Sequence, residues 1–432
     1  MEPTYGGLRM HRSANFEMHP QPELKPSLLR VAMTAVPIRT NGDRIAMHAV
    51  FVGIRPNFRQ FRFSRKRLSQ YQKEAEMSKT EMSNYRRAPQ GAPIYDPYEL
   101  GAAGTPYSTQ ADYLPIPAGA TGTLFDPERL KKGYVRQEIG DGIHYVTSGA
   151  YDAMFVQTGN GVIVVDTPLL LGENMRRAIA EVTKEPVTHF IYSHWHKDHT
   201  GASGIWGPNV KYIGHSTTRD HVLRWPDSSP APTETFETQT TLDVNGVKLE
   251  LSYKGQNHCE GNIFIYAPEQ KVLAAIDIIS PGWTPFKNCD ASESFRGWVE
   301  AHDQILEYDF NAIVAGHCNR WGTREDAIAS REYANDMVAF SREAIEQCEY
   351  MHLLERIGFS NPWVLWDNYF NEMTNYATWK VLTKKSSNGQ TWAQRLAGAD
   401  VMTKYHVYCI IEAMRLEWGL LSRMESEVFI QK

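Results

Sequence analysis

Ile191-Tyr-Ser-His-Trp-His-Lys-Asp-His-Thr-Gly201 is the stretch that decides the fold. His194, His196, Asp198 and His199 follow a short apolar strand and precede a small-residue turn. Side chains two apart on an extended segment project the same way, so His194 and His196 can hold one ion while the next bend turns Asp198 and His199 toward a second. A lone histidine satisfies itself at a surface or in a core. Three histidines and a carboxylate at one strand end gain nothing structurally without a cation to hold.

Four ligands cannot fill two sites, so more must come from downstream. His258 lies in Gly255-Gln-Asn-His-Cys-Glu-Gly-Asn262, between the apolar stretches Val247 to Tyr253 and Ile263 to Ala267. Asp277 ends Val272-Leu-Ala-Ala-Ile-Asp277, an apolar strand-type run that a carboxylate should not terminate without a partner. His317 ends Ala312-Ile-Val-Ala-Gly-His317 in the same way.

With this ordered set in view, the chain resembles the metallo-β-lactamase fold superfamily of hydrolases, over about Tyr134 to Gly322. The resemblance implies a four-layer αβ/βα sandwich. It also implies that His194, His196 and His258 hold one zinc, that Asp198, His199 and His317 hold a second, and that Asp277 bridges them. Many two-zinc members carry Gly-Asp where this chain has Ile276-Asp277. A zinc-bound hydroxide would then attack a carbonyl, with Asp198 as the catalytic proton relay. Neither a Ser-His-Asp arrangement nor a Gly-x-Ser-x-Gly elbow accompanies it.

Composition sets the remaining bounds. The 432 residues suffice for one large domain with additions or for two domains. Cys259, Cys289, Cys318, Cys348 and Cys409 are odd in number and form no C-x-x-C pair, which fits a reducing, cytoplasmic setting. No apolar run reaches the roughly 18 residues of a membrane span, and no secretory h-region opens the chain. Residues 1–90 carry 16 Lys+Arg against 7 Asp+Glu, so the overall −5 hides a basic leader and an acidic remainder of −14. Residues 1–87 are expected to be a basic, disordered leader or an over-extended start preceding Met77 or Met82. Arg59-Gln-Phe-Arg-Phe-Ser-Arg-Lys-Arg67 could also be a nucleic-acid or import patch, although a solvated leader is the simpler reading.

Residues 88–122 read as an irregular proline-rich arm, 123–325 as the catalytic domain and 326–432 as a packed helical extension. Strands are expected at 135–139, 143–147, 153–157, 162–165 and 187–192, with a helix at about 172–183. Thr323, with Asp326 three positions on, opens a helix running to about Leu354, and further helices cover 363–382 and 391–417. Trp363, Trp366, Tyr369, Phe370, Tyr376 and Trp379 are expected to pack this extension on the sandwich, or else to form a substrate wall or a dimer contact.

The acidic catalytic region disfavours nucleic acid, and Trp195, Trp283 and Phe286 near the ligand segments suggest a small apolar or aromatic substrate. His215 is expected to be structural. The arm and the aromatic tail are similar to fungal detoxification and secondary-metabolism lactamases, which implies a cyclic amide or ester such as a benzoxazolinone-type lactam. Alternatives are an acyl thioesterase and a mononuclear-iron persulfide dioxygenase-type oxidoreductase, the latter disfavoured by the complete second ligand set.

One test follows from composition. A chain beginning at Met77 should fold and keep its activity, because residues 1–76 contain no tryptophan and no sustained apolar period. Aggregation of that truncated chain on gel filtration would show that the leader belongs to the fold.

Overall fold

The computed structural model describes residue 120, residues 131–318 and residues 320–430. The expected leader, and the expected arm apart from Ala120, lie outside the described residues.

Short β-rich runs separated by Gly turns build a first sheet of seven strands: β1 (Val135–Gly140), β2 (Ile143–Thr147), β3 (Asp152–Gln157), β4 (Val162–Val165), β5 (Val187–Ile191), β6 (Lys211–His215) and β7 (Glu234–Phe236). Strands β1 to β4 form an antiparallel meander, and β4 to β7 run parallel. The change of sense follows from the connections. Tight turns join the first four, while α1 (Glu173–Ala180) carries the chain back between β4 and β5. The second sheet is ordered β12-β11-β10-β9-β8, from β8 (Gln239–Val244), β9 (Val247–Ser252), β10 (Phe264–Ala267), β11 (Val272–Ala275) and β12 (Ala312–Val314), with β12 parallel to β11.

The two sheets face each other across a core that includes Ile143, Tyr145, Ile163, Leu251, Ile265, Ala274 and Val314. On the outer side of the first sheet, Phe155, Val164 and Phe190 pack against Met175 and Ala178 of α1. Phe264, Leu273 and Ile313 of the second sheet meet α4 (Phe295–Leu306) through Trp298 and Ile305. Helix, sheet, sheet, helix is the αβ/βα sandwich.

The helical region after residue 322 comprises α5 (Arg324–Gln347), α6 (Met351–Ile357), α7 (Pro362–Thr383), α8 (Trp392–Arg395) and α9 (Ala399–Leu416). Its apolar residues, among them Tyr333, Met337, Tyr369, Trp392, Ile410 and Met414, join the same cluster as the outer face of the second sheet. Thr323 caps α5 in a reciprocal capping box with Asp326. Within the aromatic group, Tyr369 and Phe370 are buried, whereas Trp363 is 83% exposed.

Three boundaries differ from the sequence reading. The run expected to reach Leu354 breaks at Cys348, whose extended backbone ends α5 before α6 restarts. The helix expected over 391–417 is interrupted at Leu396–Gly398, where Gly398 adopts φ 78° and only a residue without Cβ does so freely. Strands β11 and β12 stop at Ala275 and Val314, so Asp277 and His317 lie in turns just past the strand ends. Among the described residues, no helix is long and apolar enough to cross a membrane.

Trp392 tests whether the extension is a cooperative part of this core. It is fully buried, its Nε1 donates to Asp336 Oδ2 at 2.9 Å, and its ring meets Tyr333 edge-on. Trp392→Ala should cost about 3–5 kcal/mol in urea denaturation followed by near-ultraviolet circular dichroism. A loss below about 1 kcal/mol would mean that the helices unfold independently of the sandwich.

Candidate metal centre

Five segments converge at one end of the two sheets. Beyond β5 the chain enters the loop fully buried at His194. Asp166-Thr167, just past β4, braces that loop at both ends: Ser193 N donates to Asp166 Oδ1 at 3.0 Å, and Thr167 N donates to the His199 carbonyl at 2.9 Å. His196 then caps α2 (Lys197–Thr200), whose single turn swings Asp198 and His199 round to the opposite side. His258 sits between β9 and β10, where its backbone N–H donates to Asn257 Oδ1 and Asn262 Nδ2 ties Asn257 to the Ile276 carbonyl. Asp277, at φ 63°, and His317 follow β11 and β12.

Gly316 is required where it stands. At φ 92°, an added Cβ would lie 2.5 Å from Ile276 Cγ2, 2.6 Å from Asp277 Oδ1 and 3.0 Å from His199 Cε1. Ile276 itself is accommodated in the core between the sheets, so the space next to Asp277 comes from Gly316.

The structure brings all seven sequence-predicted ligands together. His258 Nε2 is 2.9 Å from His196 Nδ1, and His199 Nε2 is 3.2 Å from His317 Nε2. Asp277 Oδ2 lies 3.4 Å from His194 Nε2, 3.3 Å from His258 Nε2 and 3.1 Å from His199 Nε2, while its Oδ1 is 3.3 Å from His317 Nε2. Asp198 Oδ2 is 3.6 Å from the Nε2 atoms of both His199 and His317. Asp277 thus faces both histidine groups.

This donor set fits metal ions. Two imidazole nitrogens facing each other can share one proton in a hydrogen bond, and with that proton removed the same pair can chelate a cation. His194 Nε2 and Asp277 Oδ1 are buried, and neither has a hydrogen-bond partner. Two ligand-atom groups, one built on His194, His196 and His258 and the other on Asp198, His199 and His317, each fall within 4.8 Å.

The electrostatics point the same way. Burial acts to raise the Asp277 carboxyl, but His199, His317 and His258 hold it well below the usual carboxylate range. Burial lowers His194 strongly and takes His258 down to about 4, leaving neutral imidazoles of the kind a metal needs. At His317 and His199 burial is outweighed by the neighbouring carboxylates, which favour the protonated ring, His317 rising to about 10, so a metal would have to displace a proton there. Behind the site, burial pushes Asp152 to about 8 while Tyr145 donates to its Oδ1 at 2.7 Å.

Sequence reasoning missed three neighbours. Tyr151, bridged to His317 across the backbone, sets its ring 4.8 Å from the His317 ring and 5.9 Å from that of His199. Cys259 Sγ falls in the group of His194, His196 and His258. Asp290 falls in a group with Asp277 and His317. It lies on a turn in which Asn288, Cys289, Asp290 and Ala291 all have φ between 50° and 60°. That left-handed conformation costs about 1–2 kcal/mol per non-glycine residue. No motif marks any of the three; adjacency to the His258 ligand was the one signal available for Cys259.

Among the other residues singled out in the sequence, His215, expected to be structural, and Trp195 and Trp283 have partners in the fold. His215 caps α3 (Ser216–Arg224) through Nδ1, and its Nε2 pairs with the Glu237 carbonyl at 2.8 Å. Trp195 stacks on His221 at 4.3 Å, and Trp283 Nε1 donates to the Ala120 carbonyl. Phe286 remains 64% exposed.

Comparison with known proteins adds the family. Residues 146–338 match the family model described as the metallo-beta-lactamase superfamily. These residues form a metallo-beta-lactamase superfamily domain. Over 186 residues the chain is 29% identical to the 2,4-dinitroanisole O-demethylase subunit alpha of Nocardioides sp. (strain JS1661), covering 42% of this chain and 56% of that one. The chain thus spans little more than half of that relative. It is 24% identical over 206 residues to metallo-beta-lactamase type 2 of Bacillus cereus, covering 46% of this chain and 77% of that protein. A solved metallo-beta-lactamase from Pontibacter korlensis superposes with a TM-score of 0.41 at 22% identity, covering 47% of this chain and 99% of its own. The superfamily domain is hydrolase-like, and its His/Asp groups are suited to metal binding.

His196 is the sharpest single probe of this geometry. Its replacement by Ala removes one of three nitrogens from the first group, so activity should fall by at least roughly 100-fold and one ion should be lost on elemental analysis. Normal turnover with full metal content would refute the assignment of His196 as a ligand.

Proposed function

We propose that the chain is a zinc-dependent hydrolase that opens small uncharged cyclic amides or esters. In this reading His194, His196 and His258 hold one ion, Asp198, His199 and His317 hold another, and Asp277 lies between them. The main support is Asp277 Oδ2, which sits within 3.4 Å of nitrogens from both histidine groups. Bound here, zinc would polarise a carbonyl oxygen and bring the pKa of water down to roughly 7.

The chain's own residues divide the remaining work. Of the carboxylates in the seven-residue set, Asp277 is buried and Asp198 keeps 40% of its side-chain surface, so Asp198 can exchange a proton between the site and solvent. The Tyr151 ring forms an apolar wall beside His317 and His199. Phe286, exposed and four residues before Asp290, offers a second apolar contact. The net −14 of residues 91–432 weighs against polyanionic substrates and nucleic acid.

A detoxifying lactamase or lactonase acting on an aryl-fused ring agrees with these features. The demethylase relative favours one further substrate type, an electron-poor aryl ether, because its named substrate is a small uncharged aromatic. Thioester hydrolysis remains the alternative within the hydrolases. A small molecule is the only partner the site calls for, and the exposed Trp363 on α7 is where self-association through the C-terminal helices would be sought. Five unpaired cysteines agree with a cytoplasmic location.

Chelation should abolish activity and zinc should restore it. Among aryl-fused lactams, simple lactones, nitroaryl methyl ethers, acyl thioesters, aryl sulfates and phosphodiesters, a lactam or lactone should reach kcat/KM of about 10⁴ M⁻¹s⁻¹. Activity in a chelated, metal-free sample would end the metallohydrolase reading. A preference for the ether or thioester would replace the substrate class alone.

A further inference from the structure

We propose that Asp290 is an additional metal ligand of this centre, binding on the side of Asp277 and His317. The inference rests on the two-metal reading above.

The geometry comes first. Asp290 Oδ2 lies 3.9 Å from His317 Nε2, and the ligand atoms of Asp277, Asp290 and His317 fall within 4.8 Å of one another. Oxygen and nitrogen atoms bound to one ion at about 2.0–2.2 Å stand three to four ångströms apart, a range that holds His317 Nε2 to Asp290 Oδ2 at 3.9 Å and His317 Nε2 to Asp277 Oδ1 at 3.3 Å. Asp277 Oδ1, the oxygen on this side, is buried and has no hydrogen-bond partner. His317 already interacts with Asp277 and Asp198, so a third carboxylate beside it adds like-charge repulsion that a bound cation would relieve.

The backbone that presents Asp290 shows how the carboxylate is held in place. The turn Lys287–Ala291 is one turn of left-handed helix, closed by Asp290 N to the Phe286 carbonyl at 3.0 Å and Ser292 N to the Asn288 carbonyl at 3.2 Å. None of its four positive-φ residues is glycine. Strain of this kind persists only where the surroundings over-determine it, and it gathers at ligand sites. Here the surroundings are visible. Cys289 N donates to the buried His406 Nδ1 of α9 at 2.9 Å, Lys287 Nζ stands 4.8 Å over the Tyr405 ring, and Glu293 N donates to the carbonyl of His258 at 2.7 Å. The turn is held from the extension on one side and from the first ion's own ligand loop on the other.

Metal binding separates this role from a structural one. Zinc uptake, measured by competition with a chromogenic chelator and by elemental analysis, should give two ions in the wild-type chain. Asp290→Asn should keep one at wild-type affinity and weaken the other at least about tenfold. Asp290→Cys, loaded with cobalt, should gain a sulfur-to-cobalt charge-transfer band over the wild type, and this decides the matter even if Asp290→Asn does not fold. Two ions bound to Asp290→Asn at wild-type affinity, or a cobalt spectrum of Asp290→Cys without the new band, would overturn the proposal alone. A wild-type chain that takes up no zinc would overturn the two-metal reading together with it.

Discussion

Asp277 is a carboxylate almost wholly withdrawn from water and surrounded by imidazole nitrogens from His194, His199, His258 and His317. An isolated buried charge of this kind is among the most expensive features a fold can carry, so what surrounds it must be positioned closely. Both sheets contribute. The first delivers His194, His196, Asp198 and His199 past the end of β5, and the second delivers His258, Asp277 and His317 from the ends of β9, β11 and β12. The inter-sheet core therefore acts as the rigid spacer that sets the distance between two half-sites.

Supports for this arrangement lie one layer back. Asp166, with φ 59°, accepts the Ser193 N–H, and Gly316 leaves the gap into which Asp277 and His199 fit. Asp152 N donates to the Gly316 carbonyl at 2.7 Å, joining β3 to the His317 turn and so linking the two sheets at the site itself. Orienting partners of this kind matter because a ligand group a single ångström out of place loses much of its grip on an ion.

Much of this was legible in the sequence because its signals are local. The H-x-H-x-D-H string, the apolar strand before it and the short strand runs that end in each later residue are local features, and all seven residues expected as ligands meet in space. Strand placement was equally direct, since alternating apolar runs between glycine turns leave few options at β1 to β5. The helix break at Cys348 was not legible, since no Gly or Pro marks it and tertiary packing decides where the chain turns, whereas the break at Leu396–Gly398 did carry a signal in Gly398. Tyr151 and Asp290 were invisible for a related reason: their proximity to the centre depends on long-range docking that no spacing encodes.

The helical extension has a consequence of its own for the chemistry. Its apolar residues share one cluster with the outer face of the second sheet, so α9 is fixed relative to β11 and β12 by side-chain packing as well as by the covalent chain. From that position His406 accepts the Cys289 N–H, and Glu417 accepts from Ser294 Oγ and the Phe295 N–H, pinning the Asp290 turn and the segment that follows it. A left-handed turn of non-glycine residues depends on such holds, since the two hydrogen bonds that close it locally are set against the strain of four positive-φ residues. The family model ends at residue 338, before α9 begins, so the elements that hold this turn come from outside the matched region. A part of the chain beyond the superfamily domain thereby shapes one wall of the centre, and substrate preference in this chain need not follow that of relatives sharing the ligand set alone.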